Sequence, residues 1–116
     1  MEDRSVQVDD RGDGTLEIAL HGDIDFNNCD EVREQIRAAI DRSSPRAIAV
    51  DLADVPFLDS SGVAVLVSAH RMATSLDAGY TVRRPTRSVY EHLRLTGVAE
   101  LFGLAQPDAP DPDGGA

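Results

Sequence analysis

Hydrophobic and polar positions alternate along the first third of the chain and then shift to a helical period. In Thr15–His21, Leu16, Ile18 and Leu20 interleave with Glu17 and Ala19, the two-residue period of a half-buried strand. Ser5–Val8 reads as a partner strand. Asp9-Asp10-Arg11-Gly12-Asp13-Gly14 between them is rich in turn formers and predicts a hairpin. The polar stretch Gly22–Asn28 reads as a loop, with Asn28 placed to cap a helix and Asp30 and Glu31 in its first turn, where negative charge is favoured. Val32, Ile36, Ala39 and Ile40 then fall on one helical face, and Ser43-Ser44-Pro45 ends it.

Ala47–Leu52 is a continuous apolar run of strand length. Val63–Leu76 is longer. Val63, Val65 and Val67 alternate as a strand would, but the length and the polar Asp59-Ser60-Ser61-Gly62 opening favour a helix lined by Leu66, Ala69, Ala73 and Leu76. Ala78-Gly79-Tyr80 breaks that pattern, and Tyr80–Val82 begins another strand. Pro85-Thr86 opens a third helix with Val89, Tyr90 and Leu93 inward, and Ala99–Leu104 is a last short strand or helix. The order predicts one α/β domain over residues 1–104, a mixed β-sheet packed against α-helices through right-handed crossovers. Residues 105–116 combine proline, glycine and aspartate and read as a disordered acidic tail.

Composition narrows the function classes. The 116 residues suffice for one core, and hydrophobic residues at 41% with only 4% aromatics make it a Val/Leu/Ile/Ala core. The formal charge is -10. Taking away the tail aspartates Asp108, Asp111 and Asp113 leaves about seven negative charges on the remainder. A field of that sign opposes nucleic acid and anionic membranes. With one cysteine, Cys29, no disulfide forms within the chain, and neither a signal core nor a spanning apolar run is visible, so a soluble cytoplasmic protein is expected.

The chemistry concentrates at Phe57-Leu58-Asp59-Ser60-Ser61-Gly62, where a strand hands over to a helix start. Unpaired N–H groups and the positive dipole end there suit an anion, so a serine can carry a phosphate without wrecking the fold. Gly62 most simply allows close approach of another backbone. Asp59 reads as a cap of the helix or the turn, and Ser60 and Ser61 read equally as an N-cap with a small first-turn neighbour or as functional hydroxyls. Asp51, Asp54 and Asp59 lie near one strand end, a conceivable Mg²⁺ set, although turn and cap roles account for Asp54 and Asp59. His70 lies two and a half turns beyond Ser61 and on the other side of the helix, so it is no base for that hydroxyl. The glycine pattern of a nucleophile elbow is missing, as are Walker and dinucleotide motifs. No cofactor or metal site is expected.

Gly22-Asp23-Ile24-Asp25 before a helix, then Asp51-Leu52, Phe57–Gly62 and the closing Thr96-Gly97-Val98 with Leu101-Phe102, resemble the STAS domain over about Ser5–Leu104. Standing alone, the domain most resembles the bacterial anti-sigma factor antagonists. The resemblance implies a non-enzymatic partner-switching module. Its unphosphorylated form binds an anti-sigma factor that is also a serine kinase, releasing the sigma factor. The kinase then phosphorylates it, and a separate serine phosphatase resets it. By motif position the phosphoacceptor is Ser61, and Asp25, Asp59, Ser60 and Gly62 share the partner-binding patch. Phe26-Asn27-Asn28-Cys29 departs from the smaller residues usual there. A scaffold STAS protein, of stressosome type or another, and a weak nucleotide-binding or nucleotide-hydrolysing STAS domain are the alternatives.

Overall fold

A computed structural model describes residues 5–104; the predicted tail lies outside them. The elements are β1 (Val6–Asp10), β2 (Thr15–His21), α1 (Cys29–Ser43), β3 (Ala47–Asp54), α2 (Ser60–Ser75), β4 (Gly79–Arg83) and α3 (Arg87–Leu95). The strands form one sheet in the order β1-β2-β3-β4. β1 runs antiparallel to β2, and β2, β3 and β4 run parallel. This is the mixed α/β arrangement the pattern predicts.

The alternation of β2 explains which face is covered. Leu16, Ile18 and Leu20 are at most 1% exposed, and their register partners Ile48 and Val50 on β3 are equally buried. Ile18, Val50 and Val82 stand in one row across three strands. α1 adds Val32, Ile36, Ala39 and Ile40 to this core, and α2 adds Val63, Val65, Leu66, Ala69 and Ala73. The other face carries Glu17, Ala19, Asp51 and Arg83, tied by Arg11–Glu17 and Arg83–Glu17 ion pairs and by Arg84 on Asp51.

Three expectations change. Leu76 does not line α2's inner side: the helix ends at Ser75, the chain turns left-handed at Asp77 (φ 59°), and Leu76 is 45% exposed. Asn28 occupies the cap position of α1, but its side chain makes no capping bond. Ala99–Leu104 is neither strand nor helix but a run of turns, with Phe102 N–H reaching Val98 O and Leu104 N–H reaching Ala99 O. Those turns bury Phe102 completely and aim its carbonyl at Val82 N–H, so they seal the β4 edge. Tyr80 stacks edge-on against Phe102 and His70 and donates its hydroxyl to Leu66 O at 2.8 Å. α1 stops as read, with Ser44 left-handed (φ 46°), its N–H on Ile40 O, and Pro45 next.

Candidate functional site

Because β2 and β3 are parallel neighbours, the loops leaving their C-terminal ends emerge side by side. The 22–28 loop leads into α1 and the 55–59 loop into α2. Their backbones continue the sheet for one step. Ile24 and Leu58 form a parallel bridge, Ile24 N–H donates to Phe57 O at 3.1 Å, and Asp59 N–H donates to Ile24 O at 3.3 Å. Gly22 N–H adds a bond to Asp54 O at 2.9 Å. The apolar Ile24 and Leu58 side chains are buried beneath this seam.

Asp59 fastens the seam to α2. In extended backbone it caps the helix: Oδ1 accepts Ser61 N–H at 2.8 Å and Gly62 N–H at 3.1 Å. Its Oδ2 accepts Phe26 N–H from the neighbouring loop at 3.3 Å. One carboxylate thus holds the helix start and the 22–28 loop together. Gly62 sits where a Cβ would lie 2.7 Å from Ile24 O and 2.7 Å from the Leu58 Cβ. The close backbone approach expected of Gly62 is therefore present, and its partner is Ile24.

Asp25 and Asn28 organise the other loop. Asp25 O accepts Asn28 N–H and Cys29 N–H, and Asp25 Oδ1 accepts Asn27 N–H at 2.9 Å. The Asn28 amide reaches backward, accepting Asp25 N–H at 2.9 Å and donating to Asp23 O at 2.8 Å. That is why it does not cap α1: its side chain is already committed to the loop.

The structure brings Asp25, Asp59, Ser60, Ser61 and Gly62 to one end of the sheet. Gly62 is buried, Asp25, Asp59 and Ser61 are half-buried, and Ser60 is exposed. Among the described residues, neither the Ser60 nor the Ser61 hydroxyl is engaged in a hydrogen bond. Residues 22–28 and 53–59 hold Asp23, Asp25, Asp54 and Asp59 and no lysine or arginine. From Ser60, a shallow groove of about 410 Å³ runs along α2, lined by Val63, Ala64, Val67, Ser68 and Arg71.

The three aspartates considered for Mg²⁺ do not converge. Asp51 pairs with Arg84, Asp54 with His21 Nδ1 at 2.9 Å, and Asp59 caps α2. Among the described residues no group of three His, Cys, Asp or Glu side chains is placed to hold a metal. His21 also contacts Gln7 Oε1, and His70 packs in the Tyr80–Phe102 cluster.

Two features escaped sequence reasoning. The Ile24–Leu58 bridge depends on contacts between distant segments. Phe26 and Phe57 carry rings 79% and 49% exposed at the edge of the site. The unusual Phe26-Asn27-Asn28-Cys29 run was the available signal for the first of these.

Comparison with known proteins agrees with this geometry. The profile of the STAS domain matches residues 7–108. An anti-sigma F factor antagonist of Paenibacillus polymyxa is 27% identical over 91 residues, covering 78% of each chain. The fold superposes on the anti-sigma factor antagonist SpoIIAA in its unphosphorylated form with a TM-score of 0.73 at 21% identity, covering 96% of this chain and 97% of that one. An anti-sigma factor antagonist from Mycobacterium paratuberculosis gives a TM-score of 0.70 at 28% identity, covering 84% and 80%.

Proposed function

We propose that this chain, which belongs to the STAS-domain family, is an anti-sigma factor antagonist switched by phosphorylation of Ser61. In its unmodified form it docks in the cytoplasm on an anti-sigma factor that is also a serine kinase, and it thereby frees the sigma factor. Transfer of phosphate to Ser61 ends the docking, and a serine phosphatase restores it. The chain itself performs no catalysis.

The observation that carries this reading is the Asp59–Gly62 turn. Among the described residues the Ser61 hydroxyl makes no hydrogen bond, and it stands half-buried on a capped helix start beside Asp25, Asp59, Ser60 and Gly62. Phosphate adds about -1.5 to -2 charge. The helix-start donors that would receive it, Ser61 N–H and Gly62 N–H, are already bonded to the Asp59 carboxylate. Neither loop carries a lysine or arginine to neutralise the new charge. The dianion therefore stands uncompensated on the docking face. Turning a complex from 99% to 1% formed needs about 5.5 kcal/mol, and desolvating an unpaired charge at an interface supplies several kcal/mol of that.

The test is titration of the wild-type, Ser61→Ala and Ser61→Asp chains against the serine-kinase anti-sigma factors encoded in the same genome. Wild type and Ser61→Ala bind one of them alike, Ser61→Asp binds at least tenfold more weakly, and only wild type is released on adding ATP. Equal affinity of all three variants, or peptide mass spectrometry placing the phosphate elsewhere, would refute the assignment.

A further inference from the structure

Of the three phenylalanines, only Phe102 is buried; the other two stand in solvent on adjacent loops, beside the proposed phosphoacceptor. Isolated exposed apolar residues are ordinary. These two differ because the backbone holds each on one of the two loops that meet at the Ile24–Leu58 bridge. Phe57 O accepts Ile24 N–H, Phe26 N–H is held by Asp59 Oδ2, and Phe26 O receives the Cys29 thiol at 3.6 Å. Phe57 immediately precedes Leu58 and Phe26 lies two residues after Ile24, the two members of the bridge. The chain backbone around each ring is thus already ordered before any partner arrives, which lowers the entropy lost on docking.

The charged side chains on the two loops that carry the rings are of one sign. Asp23, Asp25 and Asp59 share the two loops with them, without a lysine or arginine, and Asp54 ends the strand next to them, paired with His21. We propose that Phe26 and Phe57 are apolar anchors of the docking face, seated in sockets of an anti-sigma factor whose socket rim is basic, and that they set affinity and partner choice while Ser61 sets the switch. This rests on the antagonist reading above. Charge complementarity selects the occupant. A second copy meeting this face symmetrically would set the three loop carboxylates against three, and an anionic lipid surface would meet the same repulsion.

The experiment uses the purified serine-kinase anti-sigma factor that wild type binds, titrated with Phe26→Ala, Phe26→Leu, Phe57→Ala and Asp23→Asn at 50 and 300 mM NaCl. Phe26→Ala should weaken binding about 10- to 100-fold and Phe57→Ala less, in proportion to their exposed rings, with Phe26→Leu in between. Asp23→Asn should mainly slow association at low salt. Both phenylalanines are surface residues, so thermal melts within a few degrees of wild type verify an intact fold. If wild type binds a kinase and both alanine variants bind it within twofold, the anchor proposal fails and the antagonist reading stands. If wild type binds no such kinase, both fail. Sedimentation of the chain alone gives a further arm: a wild-type dimer that Phe26→Ala dissociates would make the occupant a second copy and overturn the proposal.

Discussion

Substituting alanine for Gly62 isolates the contact on which the site's shape depends. In a helix interior this change ordinarily stabilises by about 1 kcal/mol. Here the added Cβ would lie 2.7 Å from Ile24 O, 2.7 Å from the Leu58 Cβ and 3.3 Å from the Ile24 Cβ. Unstrained carbon contacts fall near ~3.5–4.0 Å. The obstacles are a main-chain oxygen and β-carbons, so no side-chain rotation relieves them. The Ile24 carbonyl must move, and it is the acceptor of Asp59 N–H at an already long 3.3 Å. Overpacking of this kind costs about 1–3 kcal/mol, and a weakened seam bond costs about 1 kcal/mol more. After the helical gain is subtracted, Gly62→Ala should lose about 1–3 kcal/mol, a fall in melting temperature of roughly 5–15 °C for a domain of this size. Circular dichroism at 222 nm with a urea series measures it. Gly79→Ala is the control, because its Cβ would meet only the Ala47 Cβ at 3.9 Å; it should be neutral or slightly stabilising. A Gly62→Ala chain that melts at or above wild type would refute the close-packing argument.

Other consequences can be checked with similar means. Asp59→Ala removes the acceptor of Ser61, Gly62 and Phe26 N–H groups and should cost about 1–3 kcal/mol; an unchanged urea midpoint would contradict the capping role. Burial raises the Tyr80 phenol well above its ordinary value, so its stabilising contribution is present below about pH 10 and lost as the pH rises further. In a Tyr90→Phe background, phenolate absorbance at 295 nm should therefore appear only together with loss of helical signal, and earlier ionisation would count against the buried placement. Burial pushes the Asp51 carboxyl up, but the Arg84 hydrogen bond, the Ala53 N–H and the charges of Arg84 and Arg83 outweigh it and leave the group below its usual value. That contribution is present above about pH 4 and lost as the pH falls through the lowered value, so Asp51→Asn should flatten the acid limb of stability against pH; parallel limbs would rule this out. Phosphorylated and unmodified chains should melt within about 3 °C of each other, since the helix dipole favours a charge that Asp59 opposes; a loss of ten degrees would relocate the switch to folding.

Much of this was written in local pattern. The two-residue period of Leu16, Ile18 and Leu20 and the helical spacing of Val32, Ile36, Ala39 and Ile40 mark inward positions without knowledge of what they meet, because burial of one face forces the period. Asp59 as a cap and Gly62 as a point of close approach were legible for the same reason: each satisfies a local backbone demand. Leu76 and Ala99–Leu104 were misjudged, and Asn28 holds the cap position without a side-chain capping bond, where a distant or competing partner decides. The Asn28 amide serves Asp25 and Asp23, Leu76 follows a left-handed turn, and Phe102 is drawn to the open edge of β4. The Phe26-Asn27-Asn28-Cys29 run flagged Phe26 as unusual, but apolar character alone predicts burial, and only the fold shows that its ring is exposed.

The five residues expected to form the partner patch divide by what the fold demands of them. Asp59 and Gly62 are consumed by the architecture: one ties three N–H groups, and the other admits the Ile24 carbonyl. Asp25 holds its loop through both its carbonyl and its carboxylate. Only the Ser60 and Ser61 hydroxyls are free of such duties among the described residues. Loss of binding in an Asp59 or Gly62 variant therefore reports a displaced surface as readily as a lost contact, and such variants cannot map the interface by themselves. A side chain that carries a reversible charge must be one whose chemistry the fold does not use, and the two hydroxyls meet that requirement. Of these, Ser61 is the less exposed, and its own N–H is bound to the capping carboxylate. On the proposed reading, a phosphate there should alter the partner's view of the face more than it alters the domain, so the switch should be read in affinity and not in stability.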